Sequence, residues 1–183
     1  MKNQKRCSWV EGSEDIYLEY HDNEWCKPVH DDEKLFEMLV LESFQAGLSW
    51  ITILKKRENF RKAFDNFNID KIIEYDNLKI DELLENEGII RHKGKIEATI
   101  NNSKIFKEIQ KEYGSFDKYI WSFTNGETLK DTEENYQTKS PLSDEISKDL
   151  RKRGMKFVGP VIIYSYLESI GIIDNHEPTC FKY

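Results

Sequence analysis

Gly47, Gly88, Gly114, Gly154 and Gly171 each close a run in which apolar residues recur three or four positions apart. Amphipathic helices commonly stop on a glycine. Sustained two-residue alternation is scarce, so the pattern predicts an all-α chain of short helices with glycine-marked joints. Asp31 or Asp32 is placed to cap a helix carrying Leu35, Leu39, Glu42 and Ala46. Ser49 then opens a second helix with Trp50, Ile53, Leu54 and Phe64 near one face. Asp70 and Asp81 are expected to open two short helices, the second closed by Gly88. A long helix should follow through Ile96, Ile100, Ile105 and Ile109, and a short one from Phe116 to Phe123, before a turn at Asn125-Gly126. Ser143 is the expected start of a helix running to Arg153, and Gly159-Pro160 of another running to Ile170. Residues 127–142 read as polar loop, long for a connection in a compact domain. Residues 1–31 read as irregular and aromatic-rich, with a helical turn or two from Tyr17 to Glu24.

Composition narrows the class. The chain has 183 residues, 38% apolar and 13% aromatic, enough for one cored unit spanning 1–183. Its net charge is −7, which weighs against nucleic acid as a partner unless the basic residues gather on one face. There is no run of 18 apolar residues and no signal-peptide pattern, and the three cysteines make no secreted disulfide framework. A soluble, cytoplasmic protein with no membrane partner is expected, and nothing calls for more than a monomer.

Three constellations could carry chemistry. Glu42 falls on an apolar helical stripe, and Trp9, Tyr17, Tyr20, Trp25 and Trp50 are mostly outside strong amphipathic patterns. A cage of rings can hold a flat, cationic base by stacking and cation–π attraction, and Glu42 can accept from an exocyclic amine. The plainer alternative is aromatic core with a Glu paired at the domain edge. Cys7, His21, His176 and Cys180 form a Cys₂His₂ set of the kind that fills zinc's tetrahedral shell, with His176 and Cys180 one helical turn apart if that segment is helical. The alternative is a buried cysteine and scattered histidines. Gly154 to Gly159 is a hairpin between two helices, beside Lys148, Arg151, Lys152 and Arg153, and could cradle a phosphate. Arg91 to Lys95 and Lys55 to Arg57 are further basic clusters, although lysine and arginine also collect at helix C-termini for dipole reasons.

The chain also resembles a known family. The matching pieces are Cys7-x-Trp9, Tyr20-His21-Asp22-Asn23-Glu24-Trp25, Leu35-Phe36-Glu37, Leu41-Glu42 and Gln45-Ala46-Gly47-Leu48-Ser49-Trp50-Ile51-Thr52. Further on come Leu54-Lys55-Lys56-Arg57-Glu58, Ile89-Ile90-Arg91-His92, Trp121-Ser122-Phe123, Lys156-Phe157-Val158-Gly159 and His176-x₃-Cys180. In this order they resemble the 3-methyladenine DNA glycosylase I family of the helix-hairpin-helix glycosylase superfamily.

The resemblance implies a compact helix-hairpin-helix fold whose termini, about 1–30 and 172–183, are clasped by one structural zinc on Cys7, His21, His176 and Cys180. It implies Glu42 as the catalytic-pocket carboxylate that reads the adenine edge. Tyr17, Tyr20 and Trp50 would line the base pocket, with Trp9 and Trp25 beside them. DNA would meet Gly47, Leu48 and the hairpin residues Gly154, Lys156, Val158 and Gly159. The implied activity is monofunctional excision of 3-methyladenine from alkylated double-stranded DNA, leaving an abasic site and the free base. Val161 stands where superfamily lyases carry lysine, so no strand cleavage is expected. Asp174 is either an assistant or a partner for His176. A non-enzymatic DNA-binding module of the same fold is the main alternative; a zinc hydrolase would need an open metal position. Cys26 stands where the family usually has glycine, and positive φ there would strain it. Ser43-Phe44 replaces smaller or more polar residues, reshaping either the pocket wall or the core.

Overall fold

A computed structural model describes residues 4–130 and 137–183. The chain runs α1 (Asp15–Asn23), α2 (Asp32–Gln45), α3 (Trp50–Ala63), α4 (Ile69–Ile73), α5 (Asn77–Glu85), α6 (Lys93–Tyr113), α7 (Phe116–Ser122), α8 (Pro141–Lys152) and α9 (Pro160–Ser169). A two-residue strand β1 (Leu129–Lys130) pairs in parallel with β2 (Ile173–Asp174).

The fold is built around α2. Every side chain from Leu35 to Phe44 is buried, as expected for a helix with neighbours on all sides. It packs on α3, α6, α7 and α9. Asp31 caps it by accepting from Lys34 N at 2.8 Å. The next residue turns outward: Asp32 accepts from the backbone N–H groups of Phe116 and Asp117 and from Gln110 Nε2, which ties the start of α7 to the start of α2. Phe44 packs edge-on against Phe60 and Phe64, so it belongs to the core. Glu24 and Arg57 form a two-pronged pair at 2.7 and 2.8 Å that fastens the end of α1 to α3.

The α8–α9 pair encloses the hairpin. Gly154 adopts φ +100° and Phe157 φ +54°, with Met155 and Val158 pointing into the core. Asn102 of α6 clamps the turn by accepting from Lys156 N at 2.9 Å and donating to Lys156 O at 2.8 Å. Asn101 donates to Gly154 O, Ser43 to Phe157 O and Ser147 to Val158 O. Ser43 therefore works as a bridge from α2 to the hairpin.

Several starts differ from the sequence reading. Asn68 and Asp76 cap α4 and α5, ahead of Asp70 and Asp81, and α5 ends before Gly88. Helix α8 begins at Pro141, where Ser140 and Ser143 form a capping box, so Ser143 is its third residue and not its cap. Ser49 precedes α3 without a side-chain bond to backbone; its hydroxyl meets Thr52 Oγ1 at 2.7 Å. Part of the expected loop at 127–142 lies outside the described residues, and Leu129 and Lys130 within it pair with Ile173 and Asp174. That pairing adds a small parallel ladder to a fold otherwise helical among the described residues. Two-residue strands are too short for an alternation signal.

Gly171, just after α9, is required by a close approach. Its φ is +75°, and a Cβ there would come within 2.3 Å of Lys27 C and Pro28 N. The chain after α1 thus presses against the end of α9, and Val29 N donates to Ile170 O at 3.0 Å.

Candidate functional site

Helices α1, α2, α3 and α9 and the turn at Ser8–Val10 surround a cavity of about 330 Å³. Trp9, Tyr17, Tyr20, Trp25, Glu42 and Trp50 all line it. The six residues that the sequence offered as a base pocket therefore converge, from 9 to 50 in the chain. Trp9 meets Tyr17 and Trp25 edge-on, each with centroids 4.9 Å apart, and Tyr20 tilts against Trp50 at 5.4 Å. The indole N–H groups of Trp9 and Trp50 are buried without a partner.

Glu42 is 3% exposed. Burial, and then the charge of Glu168, push its carboxyl well above the usual carboxylate range. Tyr20 and Tyr17 are raised for related reasons, burial first and the charge of Glu42 second. The cavity thus combines flat apolar faces, unsatisfied donors and a carboxyl group whose charge is destabilised by burial and by Glu168.

Gln45, Ser49, Ser165 and Glu168 complete the lining, and the sequence reading did not include them. Glu168 carried a readable signal: like Glu42, it is an acid within an apolar helical run.

Two exposed pieces flank this region. Gly47, at φ +82°, and Leu48, 38% exposed, form the tight joint between α2 and α3. Gln45 Nε2 fixes the joint by donating to Leu48 O at 2.9 Å. The hairpin forms a second surface with Lys148, Arg151, Lys152 and Lys156 around it. Of the four hairpin residues singled out, Lys156 is exposed and Gly154 and Gly159 are partly so. Val158, expected at the DNA surface, is instead buried in the core, and its carbonyl accepts from Ser147 Oγ at 2.7 Å. The other basic clusters are largely engaged within the chain. Arg57 pairs with Glu24, Lys55 with Glu14, and Lys56 donates to Glu87 O. Lys95 is buried and donates to Phe44 O and Ala46 O at 2.8 and 2.7 Å.

The termini meet behind the aromatic wall. Ligand atoms of Cys7, His21 and Cys180 lie within 4.8 Å of one another, all buried. Each histidine is oriented through Nδ1 by a carboxylate: His21 by Asp22 at 2.9 Å and His176 by Asp174 at 2.7 Å. That leaves both Nε2 atoms for other work. His176 Nε2 is buried with no partner, and His21 Nε2 is 3.5 Å from Cys180 Sγ. Backbone N–H groups of Glu177 and Lys182 point at the two sulfurs. Carboxylate-oriented histidines with an orphaned nitrogen beside buried thiols are the arrangement a metal ion satisfies. Asp174 is hydrogen-bonded to His176 and does not line the aromatic cavity. The segment from His176 to Cys180 is not helical, and of the four expected ligands His176 groups with Cys26 and Asp174 and not with Cys7, His21 and Cys180. Cys26, at φ +57°, groups instead with Asp174 and His176, and burial drives its thiol strongly upward.

A family model described as methyladenine glycosylase matches residues 9–183. The chain belongs to the methyladenine glycosylase family. It is 43% identical over 178 residues to the DNA-3-methyladenine glycosylase of Haemophilus influenzae, covering 96% of both chains. Among solved structures it is similar to a 3-methyladenine DNA glycosylase I with a TM-score of 0.92 and 43% identity, covering 97% of this chain and 98% of the other. It is also similar to the Staphylococcus aureus 3-methyladenine DNA glycosylase I, solved for its recognition of 3-methyladenine, with a TM-score of 0.91 and 38% identity. That match covers 96% of this chain and 95% of the other. No helix among the described residues is long and apolar enough to cross a membrane.

Proposed function

We propose that this methyladenine glycosylase is a monofunctional DNA glycosylase that takes N3-methylated adenine out of duplex DNA and hydrolyses its N-glycosidic bond. The observation that carries the reading is Glu42, a buried carboxyl group inside a cavity walled by rings. A purine alkylated at N3 is flat and positively charged, so it supplies both a stacking face and an opposite charge that favours the ionised form of Glu42. The exocyclic amine is the natural donor to Glu42.

Catalysis on such a substrate needs little proton transfer. The cationic base leaves with the C1′–N9 electron pair and becomes neutral. Water adds at C1′ and loses a proton, leaving an abasic site and free 3-methyladenine. The chain's part is to extract and hold the nucleotide, and unstacking costs less for a damaged base. Leu48 on its joint would meet the gap left in the duplex. The hairpin backbone and its surrounding lysines and arginines would hold the phosphates. Val161 follows the hairpin where a lyase would present a lysine, so the sugar–phosphate strand stays intact.

Zinc suits the donor set of Cys7, His21, His176 and Cys180. Zinc bonds of about 2.0–2.1 Å to nitrogen and about 2.3 Å to sulfur put tetrahedral donors roughly 3.5 Å apart, close to the spacing of His21 Nε2 and Cys180 Sγ. Bound there, the ion would join the termini without an open position for chemistry.

The test is release of free base from methylated duplex DNA by the purified chain. Glu42→Ala should lower single-turnover release by roughly 10²-fold while leaving affinity for undamaged DNA unchanged. Wild-type protein that binds the lesion yet releases no base would overturn the enzymatic reading in favour of a binding module.

A further inference from the structure

The cavity holds a second carboxylate besides Glu42. Glu168 lies in the last turn of α9, one turn beyond Ser165, and is 4% exposed. Both residues line the cavity, as neighbours three apart on one helical face should. The position is held from two sides. Asn175 Nδ2 donates to Glu168 Oε1 at 3.0 Å. Cys26 N donates to the Glu168 carbonyl at 2.9 Å.

Among the described residues, the cavity lining contains two acids and no lysine, arginine or histidine. Two carboxyl groups in one desolvated space oppose each other's ionisation. A neutral purine of the right shape does nothing to relieve that opposition. A purine with a fixed positive charge relieves it in proportion to the field of both groups. Shape and stacking come from the rings, which add a modest cation–π preference of about 0.5–2 kcal/mol. The larger part of charge selection falls to the acids, whose full negative charge acts on the bound base.

We propose that Glu168 is a substrate-contacting specificity residue, the second of two carboxylates whose combined field selects a positively charged purine over a neutral one. This rests on the glycosylase reading for the kind of ligand and extends it to a residue on a different helix from Glu42.

The test titrates the full chain with two small bases at mildly alkaline pH. One is 3,9-dimethyladeninium, whose charge is permanent, and the other is 3-methyladenine in its neutral form. Wild type should prefer the cation. Glu168→Gln, which keeps the size of the side chain and an oxygen for Asn175, should weaken cation binding by about tenfold or more and leave the neutral base within about twofold. Glu168→Asp keeps the charge and should retain the cation preference within about threefold. An unchanged ratio in Glu168→Gln, equal loss of both bases, or no preference in wild type overturns the proposal. Should the glutamine variant not fold, loss of the ratio in a folded Glu168→Asp does the same. Base release from methylated DNA runs in parallel. Release by wild type with an unaltered ratio in Glu168→Gln defeats only the role of Glu168. Absence of release defeats the glycosylase reading itself.

Discussion

Glu42 sits where its charge costs the fold. Its native pKa is raised by burial and by Glu168, above the value of about 4.3 for an exposed glutamate. Between those two values the native protein holds a proton that the unfolded chain has released. Stability is therefore highest below the unfolded pKa and declines as pH rises toward the native one, after which it stays level. Glu42→Gln removes the titration and keeps the shape. The variant should melt with wild type under acid conditions and above it at neutral pH and beyond. A gain of about 1 kcal/mol would raise Tm by about 2–4 °C in a chain of this size. Paired melts at about pH 5 and about pH 8 check the sign, and a difference that shrinks with rising pH would contradict the raised pKa. Base release should fall in the same variant, since the amide cannot meet a cation. Stability gained where activity is lost is the expected behaviour of a group retained for function.

At the scale of elements, Lys95 connects the two surfaces proposed to meet DNA. It is buried in α6, and its ammonium serves two carbonyls at the end of α2, those of Phe44 and Ala46, directly before Gly47 and Leu48. The same ammonium lies 5.9 Å from the Phe157 ring of the hairpin. Lys95→Met fills the space and deletes the donor, leaving those carbonyls unsatisfied at a cost of about 1–3 kcal/mol. The expected outcome is a lower Tm and a loss in base release larger than any loss in binding of free 3-methyladenine. Equal losses in both would place Lys95 in the general core. Nothing in the sequence distinguished Lys95 from its neighbours in the basic run Arg91 to Lys95. Burial of one member is set by contacts some fifty residues away. Helix stops were easier to read than starts, because a glycine in the left-handed region is a local requirement. The starts at Asp76 and Ser140 compete with nearby Asp and Ser residues that are equally good caps, and only packing selects among them. Glu42 was legible because a charge interrupts an apolar stripe. Its partner across the cavity needed the three-dimensional closure of α9 against α2.

For the whole molecule, the decisive contact is between its two ends. Cys7 and His21 meet Cys180, and the His176 ring lies 5.3 Å from that of His21, closing nearly the entire chain into one loop. The aromatic wall continues into that closure: Trp25 borders the base cavity and packs against the rings of His21 and His176. Without a metal, burial pushes the Cys7 thiol up to about 12. A bound divalent ion reverses this by taking the sulfur as thiolate, and the free energy of binding becomes free energy of folding. The purified chain should carry about one zinc per molecule. Stripping it should lower Tm and weaken base release together, because the cavity wall loses its backing. The neighbouring group of Cys26, Asp174 and His176 shares His176 with this donor set, so substitution at Cys7 and at Cys26 tells the two apart. Cys7→Ser should lose the metal by elemental analysis and melt lower than wild type. Cys26→Ser should keep stoichiometric zinc, with only a small shift in Tm. Retention of zinc in Cys7→Ser with loss in Cys26→Ser would move the ion to the other group. The clasp would then join β2 to the loop after α1 and leave the first residues of the chain untied.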